Sequence, residues 1–394
     1  MNNTKFYYLY SILSTTALSF FNPILYIYLL SKDFSFTEVG LYLSIFWLVS
    51  FMTELPCGAI TDNIGAKNSI LLSMVFRVVG LILLLSNSLI LLYISAILSA
   101  IAESFQSGTL TSWLVNVNNK NNEEIDIDKV LSRNSLYSLF FSAVIGFISA
   151  KYVYVYYKSL SIILSMSVFI ISFLFTYLFM QKLEQTQKIS IEKLKGSIVT
   201  VKNSLKETLY VKSSVFLMIL FVIPSILDLG PSNQWQAVFE KLDADIIGYV
   251  WIGISVSGML GSVIYEKLSN RLSKLRILYF FVIVNLGMLL MFIFIQNVYA
   301  KFILFMLFIV FFTLMSIQVN VFMHKYLVKS DENRTTTVSI FYTFESIIVA
   351  ILLSVNGVLT DKVGIENTWL VSMAFVGVII LSFMFVKLKK RRIK

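Results

Sequence analysis

Long apolar runs recur along the whole chain, and they constrain its fold more than any other feature. The first extends from Phe6 to Leu30 without a charged residue. A helix rises 1.5 Å per residue, so crossing a bilayer core of about 30 Å takes about 20 apolar residues. On that scale the sequence predicts twelve spans, at 6–30, 37–59, 69–86, 88–114, 130–150, 159–180, 214–237, 246–268, 277–296, 299–323, 336–359 and 368–386. The poorest is 214–237, which Pro224, Asp228, Gly230 and Pro231 interrupt. The run 6–30 is too long for the core of a cleavable signal and no small-residue cleavage site follows it, so it reads as a first span. The expected class is an all-α membrane protein. Short alternating segments, the mark of a membrane β-barrel, are absent. Composition agrees: 57% of residues are hydrophobic and 14% charged, against about 25% charged in soluble domains. A water-soluble enzyme, a disordered chain and a disulfide scaffold are excluded, the last because Cys57 is the single cysteine.

The basic residues orient the spans. With the N-terminus inside, 25 of the 32 Lys and Arg fall in inner segments, six fall in outer loops, and Arg77 lies within the membrane. That asymmetry predicts both termini in the cytoplasm of a multi-pass plasma-membrane protein. The net charge of +10 then records topology and contact with anionic lipid, not a nucleic-acid partner. The longest polar stretch divides the chain into residues 1–180, a linker at 181–213, and 214–394 with a basic tail from Lys387. The linker carries seven Lys, with Ile191, Leu194, Ile198, Val201 and Leu205 at helical spacing. It reads either as an amphipathic helix on the inner membrane surface or as a flexible connector.

Between the second and third spans lies Gly58-Ala-Ile-Thr-Asp62-Asn-Ile-Gly65-Ala-Lys67. It resembles the signature loop of the major facilitator superfamily, with Gly58, Asp62, Gly65 and Lys67 matching and Asn63 and Ala66 standing where that pattern has basic residues. Glu54-Leu-Pro56-Cys-Gly58 and Ser107-Gly108-Thr109, followed by Trp113, are similar to stretches of a bacterial drug-efflux-like branch. The resemblance covers essentially the whole chain. It implies two pseudo-symmetric six-helix bundles, a cavity lined by spans one, four, seven and ten, and alternating access. It also implies that Asp62 latches the start of span eleven, here Arg334 to Thr337. An Asp that merely caps a turn is the plainer alternative.

Ionisable side chains at membrane depth are costly unless paired or wet. Five stand out: Glu103, Asp228, Glu345, Arg77 and Glu54. Arg77 and Glu103 both sit about 12–16 Å from the inner ends of their spans. An Arg77–Glu103 or an Arg77–Glu54 pair is within reach, and either could be structural. Polar stripes run along the four cavity spans. Ser11, Thr15, Ser19, Asn22 and Tyr26 lie on the first, Ser99, Glu103, Ser107 and Thr111 on the fourth, and Thr313, Ser316, Asn320 and His324 on the tenth. On the seventh, Asn233, Gln234 and Trp235 follow Asp228 around the expected break. Isolated Ser and Thr often bond their own backbone instead. Small residues at spacings of four (Ser142, Gly146 and Ala150; Ser257 and Gly261) fit close helix approach, at a moving interface or in plain packing.

No phosphate-binding Gly-x4-Gly-Lys-Ser/Thr loop, catalytic constellation or metal-ligand cluster is present, and no cofactor is expected. The expected function is secondary active transport, not enzymatic. The first reading is proton-coupled export of an amphipathic small molecule, cationic compounds included, by a protein working as a monomer. Protonation of Glu103, Asp228 or Glu345 would bias the two access states. The alternatives are an importer or facilitator of a small metabolite in the same fold and, remotely, a membrane receptor or enzyme.

Overall fold

The computed structural model describes residues 2–121, 126–182, 212–272, 275–326 and 334–392, and these are helical with short connections and no strand. In chain order the helices are α1 (Asn3–Phe21), α2 (Leu25–Leu30), α3 (Phe36–Ile64), α4 (Ala66–Leu84), α5 (Leu89–Gln106), α6 (Thr109–Asn121), α7 (Ile127–Ile148), α8 (Tyr154–Tyr156) and α9 (Leu160–Phe179). They continue with α10 (Lys212–Leu242), α11 (Ile247–Leu272), α12 (Leu275–Phe294), α13 (Val298–Tyr326), α14 (Arg334–Val363) and α15 (Ile365–Arg392). Among the described residues, ten segments are long and apolar enough to cross a membrane. The α1–α2 pair and α10 bring the spans to twelve. The amphipathic element expected in the linker falls mainly on 183–211, outside the described residues.

Three spans differ from the sequence expectation. The first is broken at Asn22-Pro23, because proline has no N–H to donate and the chain turns tightly, Ile24 N donating to Phe21 O at 3.0 Å. The fourth is broken at Gly108, whose φ of 67° is a left-handed conformation that glycine adopts without steric cost. The seventh is not broken: α10 runs through both Pro224 and Pro231. Just after Pro231, Ser232 Oγ donates to Asp228 O at 2.6 Å and Asn233 Nδ2 to Leu229 O at 2.8 Å.

Contacts divide the chain into two compact units, Met1–Val199 with Ala244–Ile252, and Thr200–Asp243 with Gly253–Lys394. In the first unit α1 packs on α7 and α9, and α5 on α3 and α4. Serines bridge these helices, since a short hydroxyl reaches a neighbouring backbone where helices pack closely. Ser165 Oγ donates to Ala17 O at 2.7 Å and Ser95 Oγ to Gly80 O at 2.7 Å. An aromatic cluster fills one end, with Phe6 edge-on to Trp113 at 5.1 Å and stacked on Phe175 at 5.3 Å. The Trp251 indole, in the part of α11 that belongs to this unit, donates to Ser142 O at 2.9 Å and lies where a Gly146 side chain would sit.

In the second unit α10 is central, packing on α13, α14 and α15. The buried Gln234 amide joins three helices. Its Nε2 donates to Asn356 Oδ1 at 2.7 Å and Thr360 Oγ1 at 2.9 Å, and its Oε1 accepts from Trp369 Nε1 at 2.8 Å. The small residues of span eight pack within this unit, Gly253 against Met306 and Gly261 against Thr313.

Candidate functional site

The signature stretch is not a loop. α3 continues to Ile64, so Gly58 and Asp62 lie in its last turns, and one residue, Gly65 with φ 87°, makes the whole turn into α4. Asp62 is exposed. The Arg334 side chain expected to face it lies outside the described residues. Lys67, in the first turn of α4, reaches across to the C-terminal end of α9 and donates to Tyr177 O at 2.7 Å and Met180 O at 2.9 Å. An ammonium there satisfies carbonyls that the helix cannot and complements the helix dipole. Lys32 does the same for the end of α4, donating to Leu84 O at 3.2 Å, Ser86 O at 2.9 Å and Leu85 O. Partial burial holds the Lys32 ammonium below its ordinary pKa.

Within the membrane-depth part of the first unit, α4 and α5 bring Arg77 and Glu103 together. Arg77 Nη2 donates to Glu103 Oε2 at 2.5 Å, and the side chains are 5% and 47% exposed respectively. Glu54 is exposed on α3 and is not the partner. Arg77 Nε is buried with no hydrogen-bond partner among the described residues. The Tyr10 hydroxyl is buried within electrostatic reach of both members of the pair. Next to it, Ser14 Oγ accepts from Gln106 Nε2 at 2.9 Å. Tyr10, Ser14 and Gln106 were missed at the sequence level. The available signal was the four-residue spacing of Tyr10 and Ser14, parallel to the stripe of Ser11 and Thr15.

That stripe is divided by the structure. Ser11 and Thr15 are partly exposed, and the Thr15 carbonyl accepts from Ser19 Oγ at 2.7 Å. Asn22 and Ser107 are exposed at the two helix breaks. Tyr26 and Trp235 are buried inside their units. Tyr26 packs toward Phe36, with ring centroids 6.2 Å apart. The reason is the same for both, since large rings fill the crossings between helices.

In the second unit Ser225, one turn before Asp228 on α10, donates to Glu345 Oε1 on α14. Asp228 Oδ1 is buried with no partner among the described residues. Asn320 of α13 donates to Ser316 O at 3.0 Å and accepts from Tyr342 OH at 3.0 Å. A second ion pair repeats the asymmetry of the first: Lys301 Nζ meets Glu366 Oε1 at 2.6 Å with side-chain exposures of 3% and 42%. Lys301 Nζ also lies 5.0 Å from the Phe292 ring centroid. Among the described residues no group of three or more His, Cys, Asp and Glu could hold a metal ion.

Comparison with known proteins adds the family. The fold is shared with a solved nucleoside transporter, NupG (TM-score 0.77, 15% identity, 98% of each chain covered). It is shared also with a POT family transporter solved with 5-aminolevulinic acid (TM-score 0.71, 15% identity, 98% of this chain and 96% of that one). An uncharacterised MFS-type transporter of Bacillus subtilis, YxaM, is 25% identical over 255 residues, spanning 62% of this chain and 61% of that relative's length. The family model of the Major Facilitator Superfamily matches residues 7–351. With twelve spans in two six-helix bundles, the chain belongs to the Major Facilitator Superfamily of membrane transporters.

Proposed function

We propose that the protein is a secondary active transporter that exports an amphipathic small molecule in exchange for protons, by alternating access of its two units. The observation that carries this reading is the Arg77–Glu103 pair, a buried base held to an acid that reaches solvent. A carboxylate in that position can exchange protons with water, whereas the guanidinium stays charged. Taking up a proton removes Glu103's charge, frees the guanidinium and changes which conformation is favoured. Asp228 and Glu345 are further proton or substrate groups in this reading, with Glu54, Ser11, Thr15, Asn22, Ser107 and Asn320 at the wetted surfaces. The protein acts as a monomer in the plasma membrane, with both termini cytoplasmic.

Everted vesicles carrying the protein should accumulate a fluorescent amphipathic compound only while a proton gradient is present. An uncoupler and Glu103→Gln should each abolish the accumulation. Transport untouched by both would overturn proton coupling. Uptake by right-side-out vesicles would replace export with import in the same fold.

A further inference from the structure

We propose that Arg77 is a carboxylate-recognising subsite and that the transported compound is an amphipathic organic anion. The inference rests on the transport reading above and names its substrate class.

The geometry of the guanidinium points to this. Arginine offers its Nε and Nη2 protons side by side, spaced to match the two oxygens of one carboxylate. Glu103 takes only Nη2, and Nε remains buried without an acceptor. The fork is therefore half used. An unsatisfied buried donor is costly, so an acceptor that completes the fork gains what Glu103 leaves unmade.

The two members of the pair also differ in freedom. Arg77 is fixed and desolvated in α4, whereas Glu103 is about half exposed and can withdraw into water. A substrate carboxylate entering beside Arg77 would displace Glu103, which leaves as a free carboxylate or takes up a proton. Binding and protonation are linked by that competition. A cationic compound would meet the fixed charge of Arg77 here, and Glu103 Oε2 is already engaged. Tyr10 adds a further donor within electrostatic reach of the pair, which again suits a ligand that brings acceptors.

The test uses the full chain in lipid nanodiscs, with no proton gradient. Calorimetric titration compares 2-naphthoate, 2-naphthamide and 2-naphthylmethylamine, which share one apolar body and differ in head group. Naphthoate should bind about ten-fold more tightly than the amide, the size expected of one charge-assisted bond pair. Arg77→Lys keeps the charge but loses the fork, and should bring naphthoate and amide close to parity. Glu103→Gln removes the competitor and should tighten naphthoate binding. Tightest binding by the amine, equal binding of all three, no binding of naphthoate, or a preference unchanged in Arg77→Lys would each overturn the proposal. If Arg77→Lys fails to give a cooperative melt, Glu103→Gln decides, and unchanged naphthoate affinity overturns the proposal. Because these titrations need no transport, their failure is separable from a failure of proton coupling.

Discussion

Arg77 and Glu103 meet across 2.5 Å between α4 and α5, and it is the base that is buried and the acid that reaches solvent. This order matters energetically. A buried guanidinium cannot shed its charge, so its partner carries the whole burden of compensation.

Glu103→Gln should therefore destabilise the protein by about 1–3 kcal/mol, since the amide compensates the guanidinium poorly. Replacing both residues, as Arg77→Met with Glu103→Leu, should recover most of that loss, because apolar pairs often substitute well for buried ion pairs. Thermal melts of the single and double variants in nanodiscs check this. A double variant less stable than Glu103→Gln would show that the pair is needed to hold α4 on α5.

Lys67→Ala should loosen the end of α9. Two carbonyls, of Tyr177 and Met180, lose an ammonium donor, at a cost of about 1–2 kcal/mol for a half-exposed site. Hydrogen exchange should quicken over residues 176–182 with little change in α1 or α5. Unchanged protection there would mean that water replaces the lysine without loss.

Gly230→Ala should be harmful and Gly377→Ala should not. A Cβ on Gly230 would lie 2.4 Å from Trp369 Cδ1, and the indole is pinned by its bond to Gln234; nothing lies within 4 Å of a Cβ on Gly377. Overpacking of this kind costs about 1–3 kcal/mol, whereas removing an unhindered glycine from a helix stabilises it by about 0.4–1 kcal/mol. Equal melting temperatures for the two variants would contradict this.

Gln234→Leu should cost more than Trp369→Phe, and the pair should cost less than the sum. The leucine strands Trp369 Nε1 and Asn356 Oδ1 in a buried site, at about 1–3 kcal/mol per orphaned group. Removing the indole N–H as well takes away one of those orphans. The coupling is read from a double-mutant cycle on denaturation; strict additivity would remove the network.

Much of the membrane architecture was legible in the sequence because bilayer thickness fixes helix length and a hydrocarbon environment forbids unpaired backbone. The family was legible because Gly58, Asp62, Gly65 and Lys67 keep their spacing. The breaks were not. Pro23 and Gly108 interrupt a span whereas Pro224 and Pro231 do not, and the sequence ranks them the other way. A proline removes one N–H without dictating a break, and α10 stays continuous where it packs on α13, α14 and α15.

By itself, then, the sequence determined how many helices cross the membrane and which residues carry charge at membrane depth. These follow from composition along the chain, where the solvent alone sets the rule. Only the tertiary structure decided that Arg77 pairs with Glu103 and not with Glu54, that its Nε is left over, and that Trp235 and Tyr26 turn inward. Helical periodicity gives each residue a face, but the rotation and crossing of neighbouring helices determine which faces meet.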